Sequence, residues 1–267
     1  MTELAHAALL LLILLGGSAL GMAIRPLLSE RYRSRETTDL IQLVMTMLVT
    51  FAALVLGLLT SSVKASFDTV ENDLRSVSIQ LIQLDRSLRQ YGSDAAPARA
   101  LLRSYTAARI ASTWTEEPTP PGDYYPKPPP PPSASASIDS RTFGDMLTQV
   151  ETDIRGLDPQ DPIHRRLLQT CINQFELLMH ARWKLIEEAH SSISEPFYIV
   201  LSFWLVIIFA SFGLSGPNNI LSYITIILGA LSIASVMFVI LDLDTPFSGV
   251  FAVSSQPLRE ALSQLNR

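Results

Sequence analysis

The sequence has a single cysteine, Cys171, and no recognised enzyme motif, and each absence removes a class of protein. One cysteine cannot form an internal disulfide or a cysteine-ligated metal cluster. The chain also has no glycine-rich phosphate loop, no Gly-x-Ser-x-Gly nucleophile elbow and no His-Glu-x-x-His zinc motif. We therefore expect no catalytic residue, no cofactor and no enzymatic activity.

Charge is also scarce. Charged residues make up 17% of the chain, and the 20 basic and 25 acidic residues give a net charge of -5. Nucleic-acid binding needs a dense basic surface, so we expect no nucleic acid as a partner. Metal-ligating residue types do share one predicted helical face at Glu176, His180, Glu187 and His190. Because Arg165 lies on the same face, we interpret it as a solvated polar surface and expect no metal.

What the sequence has instead is long apolar runs. Each of the four is near the roughly 20 residues that a helix needs to cross a bilayer core. The last two contain no Asp, Glu, Lys, Arg or His, and only four residues separate them, which predicts a close antiparallel hairpin. The first run lacks the basic start of a secretory signal, so it is interpreted as an anchor, with a cleaved signal as the alternative. The runs are Leu4–Ile24, Leu40–Val63, Phe197–Ser215 and Ile220–Leu241.

These runs divide the chain into parts, and the fold class that they predict is an all-α, four-span membrane protein embedded in a lipid bilayer. The segment between the second and third runs holds a proline-rich linker over residues 117–137, which can bury almost no apolar surface. We expect a first transmembrane hairpin over residues 1–64, an extra-membrane helical domain over 65–195, a second hairpin over 196–241 and a polar tail with a short amphipathic helix over 242–267.

After Lys64 the apolar pattern narrows to a stripe with alternating steps of three and four residues, from Phe67 to Tyr91. A second stripe of this coiled-coil type leads into the third run, from His164 to Ile193. The two stripes can bury their apolar side chains against each other if these helices form an antiparallel stalk between spans two and three. Two shorter helices, 96–113 and 143–154, are expected to cap the stalk.

Two groups of polar residues are candidate sites. Arg182 interrupts the second stripe, and a buried guanidinium needs an acidic partner, for which Asp73 and Asp85 are the candidates. The alternative is that Arg182 places its charged end in water.

The second group follows the fourth span as Asp242, Asp244, Pro246 and Phe247. The plain interpretation is a helix stop, and the functional one is a ring of carboxylates at a pore mouth in a symmetric oligomer. In the second span, Thr46 and Thr50 belong to a weakly polar stripe that could line a pore or pack against a helix.

Several segments resemble a bacterial bestrophin-like family of multi-pass membrane proteins. They include Arg182-Trp183, Ser194-x-Pro196-Phe197 and Leu241-Asp242-Leu243-Asp244-x-Pro246-Phe247-x-Gly249. The resemblance implies kinship with bestrophin anion channels, which are homopentamers with pores lined by the second membrane helix. The calcium-clasp cluster and the aromatic pore neck of those channels have no counterpart here, so anion conduction does not carry over residue by residue.

Two functions follow from this sequence. The first is a homo-oligomeric ion channel for an inorganic ion in the cell (inner) membrane; the alternative is a membrane-anchored scaffold or sensor whose stalk domain binds a partner. Four arginines between the first two runs favour a cytoplasmic loop there. This predicts that both termini and the stalk domain are extracytoplasmic.

Overall fold

The computed structural model describes residues 2–27, 35–122, 141–189, 195–217 and 219–267, so most of the proline-rich linker, from residue 123 to 137, lies outside the described residues. Within these ranges the chain forms eight α-helices and no strand. They are α1 (Thr2–Ile24), α2 (Arg35–Tyr91), α3 (Ala96–Thr113), α4 (Arg141–Arg155), α5 (Pro162–Glu188), α6 (Glu195–Ser215), α7 (Ile220–Leu243) and α8 (Gln256–Leu265).

The predicted fold class is confirmed. The four helices α1, α2, α6 and α7 are long and apolar enough to cross a membrane. The second span and the first stripe form one continuous helix of 57 residues, as expected for a stalk helix that continues span two. No proline or glycine lies near Lys64 to break it, and α2 therefore carries an all-round apolar part and an amphipathic part in one element.

The chain separates into two compact units. Unit 1 comprises Met1–Phe67 and Ser191–Ala252, and unit 2 comprises Asp68–His190 and Val253–Arg267. Unit 1 therefore holds the apolar helices α1, α6 and α7 with the first part of α2. Unit 2 holds the rest of α2 with α3, α4, α5 and the C-terminal helix α8.

In unit 1, α1 packs along both α6 and α7, and these two helices contact each other much less. The close hairpin predicted from the short α6–α7 connection is therefore only partly correct, because α1 takes most of the space between them. Leu14 of α1 is completely enclosed in this core.

Small residues permit the contact between α1 and α6. The Ser18 hydroxyl donates to the Phe209 carbonyl at 2.9 Å. A Cβ atom on Gly21 would overlap the backbone of Ala210, and one on Gly213 would overlap the backbone of Ser18. The two backbones touch here, which is how helices associate where lipid removes the hydrophobic driving force.

In unit 2 the two stripes pair as predicted. Lys184 Nζ lies 2.7 Å from Asp73 Oδ1, and the ring of Tyr91 meets that of His164 edge to face at 5.2 Å. The residue numbers rise along α2 while they fall along α5, so the helices are antiparallel. The buried stripe positions include Val70, Val77, Leu81, Leu84 and Leu88 on α2 and Cys171, Phe175, Leu178, Arg182 and Leu185 on α5.

The shorter helices lie beside this pair and do not cap its end. Arg99 of α3 reaches back to Asp85 of α2 at 2.8 Å, and α4 packs against both α3 and α5. Each has one buried apolar face, which must be covered along its whole length. The tail helix α8 packs on α3, so the predicted polar tail is divided: residues up to Ala252 belong to unit 1 and the rest to unit 2.

The contact at Gly21 gives a stability prediction. Gly21→Ala places a methyl group against the Ala210 backbone, so the helices must separate, and we expect a loss of about 1–3 kcal/mol and a lower Tm in detergent. Gly16→Ala is the control, because a Cβ there meets nothing within 4 Å. Equal Tm values for the two variants would contradict the close contact.

Candidate pore-lining surface and charged sites

The membrane part of α2 stands out because its own chain hardly covers it. Only 6% of its most apolar window is buried, against 28% for each of the other three candidate spans. Side chains on one face do pack into the unit 1 core. They are Met45, Leu48, Ala52, Val55, Leu56, Leu59 and Val63.

The uncovered surface of this segment has two faces of different chemistry. At 100° per residue, one face is apolar and carries exposed side chains such as Val44, Met47, Phe51 and Leu58. The neighbouring face is polar or small and is also exposed. It is formed by Gln42, Thr46, Thr50, Ala53, Gly57 and Ser61, and we call it the polar stripe.

The predicted pore residues Thr46 and Thr50 both lie in the polar stripe. Each hydroxyl donates to the carbonyl one turn earlier, Thr46 to Gln42 and Thr50 to Thr46, both at 2.8 Å. The hydroxyl proton is thereby used within the helix, so each oxygen presents lone pairs outward. Oxygen lone pairs are suited to contact with water or a cation, and are poorly suited to lipid.

A cavity of about 790 Å³ lies at the start of α2, between it and the α6–α7 connection. Gln42 and Met45 line it on the α2 side, and Ser211 and Thr225 are among its polar lining residues. None of the described residues that line it is charged, so we assign no ion-binding role to this cavity.

Asp242 is placed quite differently from the polar stripe. It is 1% exposed, and its carboxylate accepts from the Val250 amide at 3.0 Å and from the Phe251 amide at 2.7 Å. Gly249 has φ +96°, and a Cβ there would overlap the carboxylate. These hydrogen bonds hold the segment that follows α7 against Asp242, and we call this arrangement the Asp242 clasp.

This placement bears on the predicted carboxylate ring. The Asp242 carboxylate is engaged inside its own chain, whereas Asp244 and Phe247 are only half-buried and Pro246 is buried in the same turn. The plain interpretation as a helix stop therefore describes Asp242, and the ring stays a prediction. Gly249, three residues after Pro246, was the sequence signal for this turn.

Comparison with known proteins places these features in a family. A model of the bestrophin-like domain matches residues 11–258. The chain belongs to the bestrophin-like family. The match runs from α1 into the start of α8, so it covers both units. A search of curated proteins gives no match.

Solved structures show the same fold at low sequence identity. One mutant of a bacterial bestrophin homologue from Klebsiella pneumoniae is 17% identical, with a TM-score of 0.67 over 99% of this chain and 97% of that chain. A structure of that homologue solved by zinc phasing is 15% identical, with a TM-score of 0.65 over 95% of this chain and 96% of that chain. The likeness establishes the bestrophin fold.

In this bestrophin-like chain both predicted acidic partners are buried and paired, but not with Arg182. Asp73 pairs with Lys184, and Asp85 pairs with Arg89 at 2.7 Å and with Arg99 at 2.8 Å. The prediction of an Arg182 ion pair is corrected, because Lys184 and Arg99 reach these carboxylates from the bundle surface. The alternative, a solvated Arg182, also fails, since the side chain is 4% exposed.

Other polar groups of unit 2 serve the fold. The hydrogen bond from Lys184 to Asp73 raises the pKa of that lysine. Asp161 accepts from the amides of Ile163 and His164 at the start of α5, and the bond from His164 lowers its pKa. Cys171 is buried, and burial raises the pKa of its thiol to about 11.

The tail is fixed to unit 2 by contacts that sequence patterns did not reveal. The Trp114 indole donates to the Val253 carbonyl at 2.7 Å. Arg259 on α8 binds Glu117 at 2.9 Å, and the Ser255 hydroxyl donates to the same carboxylate. Glu117, expected at the start of the linker, is thus an ordered residue of unit 2.

The Asp242 clasp gives a second prediction. Asp242→Asn keeps the size but removes the charge and turns one acceptor into a donor facing the amides, so we expect a loss of about 1–3 kcal/mol. The measurements are Tm in detergent and protease cleavage between Asp244 and Ser255. Asp145→Asn on the exposed face of α4 is the control. Unchanged cleavage in the Asp242 variant would contradict the clasp.

Proposed function

We propose that this protein is a homo-oligomeric ion channel with a pore that includes the membrane part of α2. The observation that carries the proposal is the exposed polar stripe on that helix. The described residues of a single chain leave this stripe exposed, and hydroxyl and amide groups are poorly placed against lipid tails. Several copies around an axis would turn the stripe toward a shared aqueous path.

The two exposed faces of α2 support this arrangement. The apolar face, with Phe51 and Leu58, has the chemistry of a surface that meets another chain or lipid. The polar stripe beside it has small side chains and no charge, which leaves room for water and for an inorganic ion. In bestrophin channels the second membrane helix lines the pore, and α2 is the corresponding helix here.

Cysteine labelling on α2 tests the proposal. Thr50→Cys is purified, reconstituted in a planar bilayer and treated with a positively charged thiol reagent, and we expect most of the cation current to be blocked by electrostatic repulsion. Phe51→Cys, one residue away on the apolar face, is the matched control and should retain its current. The buried Cys171 should not react.

The outcomes separate the two functions. Block of both variants alike, or of neither, would remove the polar stripe as the pore lining. A wild-type protein that is monomeric in mild detergent and passes no current would favour the scaffold or sensor, in which unit 2 binds a partner. Asp244→Asn tests the proposed carboxylate ring, since it should lower cation permeability most at low salt.

We place the protein in the cell (inner) membrane, where helical multi-span proteins reside. Because α8 packs on α3, the C-terminus lies on the same side as unit 2. The arginine-rich first loop predicts that this side is extracytoplasmic. A reporter that is active only in the cytoplasm, fused after Arg267, should therefore be silent, and an active reporter would reverse the orientation.

A further inference from the structure

Two arginines are enclosed in the interior of unit 2. Arg109 of α3 is 7% exposed and Arg182 of α5 is 4% exposed. Arginine is rarely buried to this degree without a carboxylate partner. Neither forms an ion pair with an acidic residue in the described part of the chain.

Their recorded contacts are with aromatic rings. The Arg109 guanidinium lies 4.7 Å from the centre of the Phe143 ring, and that of Arg182 lies 5.1 Å from the centre of the Trp183 ring. A ring covers the flat side of a guanidinium and leaves the N–H groups at its edge in need of acceptors. Arg109 Nη1 and Arg182 Nε are both enclosed and have no acceptor among the described residues.

The helix registers bring the two groups to the same level. The Arg99–Asp85 pair aligns α3 antiparallel to α2, and ten residues further along α3 brings Arg109 beside residue 75 of α2. The Lys184–Asp73 pair places Arg182 beside residues 74 and 75. Burial lowers the pKa of Arg109, and the charge on Arg182 adds to that lowering, against an opposing effect of Tyr105.

A third enclosed group lies on the same side of α3. Thr113 is one turn beyond Arg109, and residues four apart share a helix face. Its Oγ1 atom also lacks a partner. The cluster therefore offers two guanidinium groups and one hydroxyl.

The nearby carboxylates do not neutralise this charge. Asp73 Oδ1 pairs with Lys184, Asp73 Oδ2 has no hydrogen-bond partner among the described residues, and Asp85 binds both Arg89 and Arg99. These two acids thus face three cations before Arg109 and Arg182 are counted. Two further unpaired cations in a low-dielectric interior are costly, and their mutual repulsion adds to that cost.

We propose that Arg109 and Arg182 bind a small inorganic anion, of which chloride is the test case, in the interior of unit 2. The anion supplies the missing negative charge and accepts the unused N–H groups, while Thr113 provides a further donor. The site belongs to a single chain and is independent of the pore on α2. Its failure and that of the channel are therefore distinguishable.

Anomalous scattering tests the site directly. Crystals of the full chain are soaked in bromide, and we expect an anomalous peak within hydrogen-bond distance of both guanidinium groups. In parallel, Tm is measured in chloride and in gluconate at equal ionic strength, because gluconate is too large for an enclosed site. The wild type should be more stable in chloride, by roughly 2–4 °C.

Variants decide what the stabilisation depends on. Arg182→Met should abolish both the bromide peak and the difference between salts, whereas Arg155→Met, at an exposed ion pair on α4, should leave both unchanged. If the methionine variant does not fold, Arg182→Lys and the wild-type crystals give the answer. No bromide at the wild-type arginines, or a difference in Tm between chloride and gluconate that persists in Arg182→Met, would overturn the proposal.

Discussion

The backbone contact between α1 and α6 determines how unit 1 is arranged. Lipid tails are as apolar as leucine, so membrane helices associate through close packing, which needs small residues. Gly21 and Gly213 provide it, and they place α1 along both helices of the second hairpin. That position fills much of the core of unit 1, to which α2 contributes only one face, and the other two faces of α2 stay exposed. The surface that α2 leaves exposed thus depends on two glycines that belong to other helices.

The sequence predicted the helices well wherever a strong local pattern existed. Alternating steps of three and four residues located the buried positions of α2 and α5, and Asp161 followed by Pro162 located the start of α5. The arrangement was harder to predict. A Gly17-x-x-x-Gly21 pair is common by chance, so nothing marked it as the contact with α6. Nor does the amphipathic pattern of α3 and α4 say whether they cap a stalk or lie along it.

For the candidate sites, sequence identified the residues better than their partners. Arg182, Asp73 and Asp85 are all buried, but which cation reaches which carboxylate depends on helix register and on side-chain length. Asp242 illustrates the same limit. Its partners are backbone amides eight and nine residues later. Every residue except proline has such an amide, so the amino-acid sequence does not mark which ones will bind a carboxylate. The polar stripe could be predicted from the sequence because residues at helical spacing share one face of the helix, whichever group packs against that face.

Cys171 has a practical consequence. It is the one cysteine in the sequence, it is buried on α5, and its thiol ionises only near pH 11. Since the thiolate is the reactive form, maleimide dyes, spin labels and mercurials should not react with Cys171 at neutral pH. The natural chain thus already serves as a background for single-site spectroscopic probes, and distances between introduced labels can be measured without first altering its core.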